Sequence, residues 1–254
     1  MGYVVSISNQ KGGVGKTTTA INLGASLAVA EKKTLLIDLD PQGNAGSGLG
    51  LDISSVVDRN IYHVLLQEKN ISDAICKTDL DYLHVVPSTS DLIGAEIELI
   101  SAIARESRLK TALEQVRGNY DYILIDCPPS LGLLTINSLT AADFYLVPLQ
   151  CEYYALEGLS QMLKTVQVIQ KSVNPHLKPL GILLTMFDPR NNICHQVARE
   201  IRDHFKEQVF QSVIPRNVRL SESPSHGKPI LLYDITSKGA VSYLNLAKEI
   251  IGHA

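Results

Sequence analysis

Two lysines bracket three glycines in the run Asn9-Gln10-Lys11-Gly12-Gly13-Val14-Gly15-Lys16-Thr17-Thr18. Residues of these types at this spacing suit a polyphosphate. Glycines let the backbone bend close to phosphate oxygens with several N–H groups turned inward. Lys16 would reach the outer phosphates, and the Thr17 hydroxyl would serve as a ligand to Mg²⁺. The spacing G-x-x-x-x-G-K-[ST] is not met, because Gln10 stands where its first glycine belongs. The run is therefore a deviant phosphate loop with an additional lysine, Lys11, at its start. Such a motif is meaningful only between a strand and a helix. The apolar run Tyr3–Ile7 precedes it, and Ala20, Leu23, Leu27 and Ala30 recur after it at helical spacing.

Carboxylates occur where a metal and a water would need them. Tyr122-Ile123-Leu124-Ile125-Asp126 is an apolar strand ending in an acid, the Walker B arrangement that holds Mg²⁺ directly or through water. Asp38-Leu39-Asp40-Pro41-Gln42-Gly43-Asn44 closes another apolar run, and alternation predicts that Asp38 and Asp40 project from one face. Either could orient an attacking water, and Asp40 is a further possible metal contact. Gly46-Ser47-Gly48-Leu49-Gly50 does not fit a dinucleotide fingerprint and is expected to be a flexible loop.

Behind these loops, short apolar runs alternate with helical patterns. Strands are expected at Thr34–Ile37, Leu83–Val86, Tyr122–Ile125, Tyr145–Val147, Leu180–Leu184 and Val209–Ile214. Leu156, Leu159, Leu163, Val166 and Val173 mark a long amphipathic helix, and Val241, Leu244, Ala247 and Ile251 a closing one. Fully apolar strands separated by helices imply an α/β fold with a mostly parallel, doubly wound sheet. Without a repeat or a Gly/Ser linker, residues 1–254 are expected to form a single domain. Ligands in such sheets lie beyond the carboxyl ends of the strands, where the phosphate loop and the aspartates fall.

Composition narrows the classes further. At 45% hydrophobic and 19% charged, the 254-residue chain is neither disordered nor fibrous. No apolar run is long enough to span a bilayer, and the N-terminal run lacks the basic region of a secretory signal. Met1-Gly2 with Ser6 fits a loose myristoylation pattern but reads better as the start of a strand. Cys76, Cys127, Cys151 and Cys194 form no C-x-x-C pair, and the histidines form no H-x-x-x-H pair. Free thiols in a reducing cytoplasm are therefore expected, without a zinc site. The net charge of −3 hides a split: residues 1–163 hold 11 Lys/Arg against 19 Asp/Glu, residues 164–254 hold 12 against 7. The last third could thus present a basic face to a polyanion, or the split could be ordinary surface variation.

Together these segments resemble the ParA/MinD family of deviant Walker ATPases, in its ParA/Soj branch, a SIMIBI-type group of P-loop NTPases. The resemblance also rests on Gln150-Cys151-Glu152-Tyr153-Tyr154-Ala155-Leu156-Glu157-Gly158 and on Ile214-Pro215-Arg216-Asn217-Val218-Arg219-Leu220-Ser221-Glu222, with Asp126-Cys127-Pro128-Pro129-Ser130-Leu131-Gly132. It implies a Mg²⁺-dependent, ATP-hydrolysing partition protein of the small chromosomal type, without an N-terminal DNA-reading extension. It further implies a homodimer with ATP sandwiched between protomers and Lys11 crossing to the partner's phosphates. Asp40 resembles the water-positioning residue, Asp126 the Mg²⁺-linked residue, and Pro215 and Asn217 the loop around adenine.

The resemblance also implies non-specific DNA binding through Arg190 and Arg219, a nucleoid location, and hydrolysis stimulated by a ParB/Spo0J-like centromere-binding protein. A solvated loop charge is the plainer reading of Arg190, and a salt bridge with Glu222 that of Arg219. Regulation of replication initiation is a further role the resemblance implies. The alternatives are a MinD-like ATPase cycling on a membrane, an iron–sulfur carrier or reductase, and a nucleotide-gated DNA-binding regulator. The closing segment Leu246–Ala254, with one Lys and one Glu, reads as packing rather than as a lipid anchor. Cys127 directly follows Asp126, and Pro129 occupies the place where the reductase pattern has its cysteine.

Overall fold

Strands that are apolar on both faces need cover on both faces, and this requirement organises the molecule. The computed structural model describes residues 2–253. In chain order the elements used below are β1 (Tyr3–Ile7), α1 (Lys16–Val29), β2 (Thr34–Asp38), α2 (Asn44–Gly48), β3 (Cys76–Lys77), β4 (Leu83–Val86), α3 (Leu92–Glu98) and β5 (Tyr122–Asp126). They continue with α4 (Leu133–Ala141), β6 (Phe144–Gln150), α5 (Ala155–Ser172), β7 (Lys178–Phe187), α6 (Asn192–Phe205), β8 (Val209–Pro215), α7 (Val218–Glu222) and α8 (Lys238–His253). All eight strands form one sheet in the order β3-β4-β2-β5-β1-β6-β7-β8. Every pairing is parallel except β3 with β4. The mostly parallel, doubly wound α/β fold expected from the pattern is present.

Every residue of β2 and β5 is buried, which is why their sequences run apolar without alternation. One face of the sheet is covered by α5 and α6 through Leu159, Met162, Val166, Val197 and Ile201. The other carries α1 and α8 through Leu23, Leu27, Leu246 and Ile250. Leu23 and Leu27 are fully buried, and each such burial stabilises the fold by about 2 kcal/mol. Val173, expected inside the long helix, lies just past its end at the C-cap. The strand β3 escapes sequence patterning because it is two residues long. It borders the sheet with Lys77 exposed, a common way to blunt an edge.

Register sets the geometry of the site. Ile7 pairs with Asp126, and Asp126 with Asp38, so the three central strands end level with one another. The loops leaving β1, β2 and β5 therefore emerge side by side at one edge.

A candidate nucleotide-binding site at the ends of the central strands

The phosphate loop leaves β1 and turns into α1. Gly13 and Gly15 adopt φ of 74° and 85°, the left-handed region that residues with a Cβ seldom enter. Gly15 occupies the N-cap of α1 without a side-chain cap, which leaves the first-turn N–H groups available to an anion. Two contacts brace the loop from outside its own sequence, and a third ties it within. Asn9 donates through Nδ2 to the Pro148 carbonyl (2.8 Å) and accepts from the Lys11 amide (3.0 Å). Thr185 donates its hydroxyl to the Val14 carbonyl (2.8 Å). Val14 is thus a buried anchor rather than a wall of the cleft.

A cleft of about 700 Å³ opens over the loop. Gly12, Gly13, Gly15, Lys16, Thr17 and Thr18 form its floor, Asp40 lies to one side, and Pro215 and Asn217 form the far wall. Asn217 also accepts the Arg219 amide at 2.8 Å and so caps α7, while its Nδ2 makes no bond to this cap. Met186, with a left-handed φ of 48°, and the buried Tyr243 also line it. The Tyr243 hydroxyl meets Thr19 Oγ1 at 3.2 Å, and burial holds its pKa far above the usual phenol value.

Lys16 is buried and donates from Nζ to the Lys11 carbonyl at 3.0 Å. Burial pulls its pKa below the ordinary lysine value, opposed chiefly by the negative charge of Asp126. Beneath it, Asp126 is wholly buried, and neither carboxylate oxygen has a hydrogen-bond partner of good geometry. Burial first, then the neighbouring Asp38, hold its pKa well above the carboxylate range; nearby Thr17 and Lys16 work the other way. An orphaned buried carboxylate beside a threonine hydroxyl and a lysine suits a divalent cation, whose remaining ligands would be phosphate oxygens and water. Among the described residues no three His, Cys, Asp or Glu side chains gather into a metal cluster of their own.

The two acids after β2 do not share a face. Asp38 is turned into its own loop, accepting amides from Asp40 (3.2 Å), Ala45 (2.9 Å) and Gly46 (3.3 Å), and only Asp40 reaches the cleft. Alternation fails because the strand ends at Asp38. Burial, eased by those amides, raises the Asp38 pKa to about 7. Residues 46–50 are likewise not a flexible loop: Asn44–Gly48 is the short helix α2. Its glycines permit close packing, since a Cβ on Gly48 would stand 2.6 Å from Ile21 Cδ1.

The other expected residues lie outside the cleft. Lys11 forms an ion pair with Glu152, just beyond β6. Arg190 is fixed to Asp188 by Nε–Oδ1 (3.0 Å) and Nη2–Oδ2 (2.9 Å) contacts, and this pairing holds the Asp188 carboxyl down at about 2. Arg219 pairs with Glu222 (2.9 Å), approaches Asp234 (3.6 Å) and lies 5.9 Å from the centre of the Tyr233 ring. The salt bridge weighed for Arg219 is therefore present, and both arginines keep solvent-exposed guanidinium groups. Thr185, Met186 and Tyr243 carry no motif of their own. The one available hint was their place at or beside the ends of strands and helices that face the loop.

A parallel sheet whose central strands deliver a glycine loop, a buried lysine and strand-end aspartates to one cleft defines a P-loop nucleotide-binding protein. The sequence matches the family described as "AAA domain" over residues 2–179. It is 61% identical to the "Chromosome partitioning protein ParA" of Myxococcus xanthus, covering 99% of this chain and 88% of that one. It is 58% identical to the "Sporulation initiation inhibitor protein Soj" of Bacillus subtilis, covering 98% of each. Among solved structures it resembles a Mycobacterium smegmatis protein titled cobyrinic acid a,c-diamide synthase with bound ATP analog and magnesium. That likeness has a TM-score of 0.87 at 38% identity over 100% of this chain and 96% of that one. The chain belongs to the ParA/Soj family of chromosome-partitioning ATPases.

Proposed function

We propose that residues 1–254 work as one ATPase domain that hydrolyses ATP with Mg²⁺ to drive a cycle of dimerisation and DNA binding. The observation that carries the site assignment is Asp126: two buried carboxylate oxygens without a hydrogen-bond partner of good geometry, beside Lys16 and Thr17. Thr17 and, directly or through water, Asp126 would hold the ion, with Asp40 a further possible contact. The ion would supply charge neutralisation at the outer phosphates. Gly12, Gly13 and Gly15 cradle the phosphates with their amides, Thr18 extends the helix start, and Val14 locks the loop. Lys16 opposes the negative charge that grows on the phosphates during transfer. Asp40 orients the attacking water, and Pro215 and Asn217 hold the adenine.

Lys11 completes the site of a second protomer, so hydrolysis and dimerisation are linked. Doubling the arginines Arg190 and Arg219 in a dimer gives each DNA contact a second, tethered one. A ParB/Spo0J-like partner then triggers hydrolysis and release from the nucleoid, and the same cycle serves any control of replication initiation. The membrane-cycling alternative is disfavoured by α8. Its Leu246, Ala247 and Ile250 are buried, and Glu249 accepts the amides of Gln211 (2.7 Å) and Ser212 (3.0 Å). Among the described residues no helix is long and apolar enough to cross a membrane.

Co-sedimentation with DNA in ADP, ATP and a slowly hydrolysed analogue tests the cycle. Lys16→Ala should abolish nucleotide binding, and Asp40→Ala should hold an ATP dimer on DNA while turnover falls at least about 100-fold. An Asp40→Ala variant that stays monomeric in saturating ATP removes Asp40 from the water-positioning role.

A further inference from the structure

The nucleotide cleft lies at the carboxyl ends of the strands, and a second cavity, of about 400 Å³, opens at their amino ends. Tyr3, Tyr122 and Phe144, the first residues of β1, β5 and β6, line it together with Leu180 of β7 and Ile250 of α8. From Tyr122 to Asp126 the sheet spans about 13 Å, so the two cavities are distinct. The Tyr3 ring centre stands 5.9 Å from those of both Tyr122 and Phe144, tilted 40° to the first and edge-on at 63° to the second. Aromatic groups in such arrangements hold one another in place, which gives the cavity a rigid apolar wall.

The strand β7 departs from regular pairing beside this wall. Tyr145 pairs with Pro179 and Leu146 with Gly181, so Leu180 is an extra residue without a partner on β6. Pro179 has no N–H to offer the ladder, and Gly181 lies so near Phe210 that a Cβ on it would stand 2.7 Å from Cε2. Bulges re-aim a side chain and are common next to active sites, and this one places Leu180 in the cavity lining. The polar part of the lining comes from Glu207 and Gln208, both exposed, just before β8. Among the described residues that line the cavity Glu207 alone carries a charge; Lys178 and Lys206 are near in sequence but do not line it. The Tyr122 hydroxyl, on a residue only 4% exposed, has no hydrogen-bond partner among the described residues.

A recess of this size with mostly apolar, aromatic walls and a few polar groups has the make-up of a small-molecule site. Its chemistry selects the ligand. A planar ring matches the aromatic wall, Glu207 favours a cation over an anion, and aromatic faces also attract a cation. We propose that the cavity binds a small aromatic amine, with its ring against Tyr3, Tyr122 and Phe144 and its ammonium group facing Glu207. The site does not depend on the ATP and DNA cycle proposed above, and binding is read without turnover.

The probes are tryptamine, the neutral tryptophol and the acidic indole-3-propionate, each titrated by ligand-observed NMR against the full chain saturated with ADP and Mg²⁺. The nucleotide keeps the indole ring out of the first cleft. Tryptamine should bind at least about fivefold more tightly than indole-3-propionate, with tryptophol between them, and the gap should shrink as salt rises. Glu207→Gln should weaken tryptamine about threefold and leave tryptophol unchanged, while Glu114→Gln, at an exposed acid elsewhere, should change neither. Leu180→Trp, which fills the cavity, should abolish binding of both. If circular dichroism shows that variant unfolded, Glu207→Gln decides alone. Equal binding of amine and acid, full tryptamine affinity in Glu207→Gln, or full affinity in a folded Leu180→Trp overturns the proposal. Loss of tryptamine binding when ADP is added also overturns it, because the ring then occupies the nucleotide cleft.

Discussion

Asp38 and Asp126 face each other as Cα partners on adjacent strands, both fully buried. A carboxyl whose pKa is raised in the fold holds its proton more tightly there than in the unfolded chain. Its ionisation therefore costs stability: the fold is most favoured below about pH 4 with respect to these groups and loses ground as pH rises. For Asp38 that loss runs up to about pH 7, and the raised Asp126 carboxyl adds a loss of the same sign. A neutral isostere at the unpartnered position removes the cost along with the chemistry. Asp126→Asn should hydrolyse no ATP yet melt at least about 2 °C above wild type at pH 8 without nucleotide. The gap should narrow by pH 5, closer to the pH at which the unfolded chain also holds this proton. Adding Mg²⁺ and a slowly hydrolysed analogue should raise the wild-type melting temperature more than that of the variant. Calorimetry at the two pH values reads all three, and a variant that melts lower at pH 8 refutes the account.

Between residues and fold stand the short elements that the loops stack against. Gly50, at φ 82°, follows α2 and lies against Gly227, at φ 62°, so closely that a Cβ on Gly50 would stand 2.8 Å from the Gly227 carbonyl oxygen. This contact ties the loop after β2 to the turn behind the proposed adenine wall. Gly50→Ala should cost about 2 kcal/mol in urea unfolding, from the left-handed backbone and the displaced carbonyl together. Gly118→Ala, with no atom within 4 Å, is the comparison and should stay within about 0.5 kcal/mol of wild type. Elements of this size also mark where sequence reading loses sight of the structure. The strands other than β3, with α1, α5, α8 and the phosphate loop, were legible because their signals are local: an apolar run, a period, a glycine spacing. The α2 helix was not, since its amides are held by Asp38 and its glycines are explained by Ile21 and Gly227, distant in sequence. The same reason hid Thr185 and Tyr243, whose roles arise only when β7 and α8 close around the loop.

At the scale of the whole molecule, the acidic majority of the first 163 residues and the basic remainder fit the different tasks the proposed function gives these regions. The acids include the strand-end carboxylates of the nucleotide site, while Arg190 and Arg219 belong to the basic part. Both arginines are held by carboxylates in this structure, so in the proposed cycle a DNA phosphate would have to displace Asp188 from one and Glu222 from the other. Exposed pairs of this kind are worth little in water, and a phosphate backbone that releases counterions can replace them. The α7 helix that carries Arg219 also contributes Val218, Leu220 and Ser221 to the nucleotide cleft, which gives nucleotide state a short route to this contact. Arg219→Ala should therefore leave nucleotide binding intact and weaken DNA binding at every sequence alike. Because each lost phosphate contact lowers the slope of log K against log salt by about one, a dimer should lose about two. Asp234→Asn, which removes a competing acid while keeping the side-chain shape, should move affinity the opposite way. Filter binding across a salt series reads both variants. An unchanged slope for Arg219→Ala places the DNA contact elsewhere on the basic third, even if the cycle itself stands.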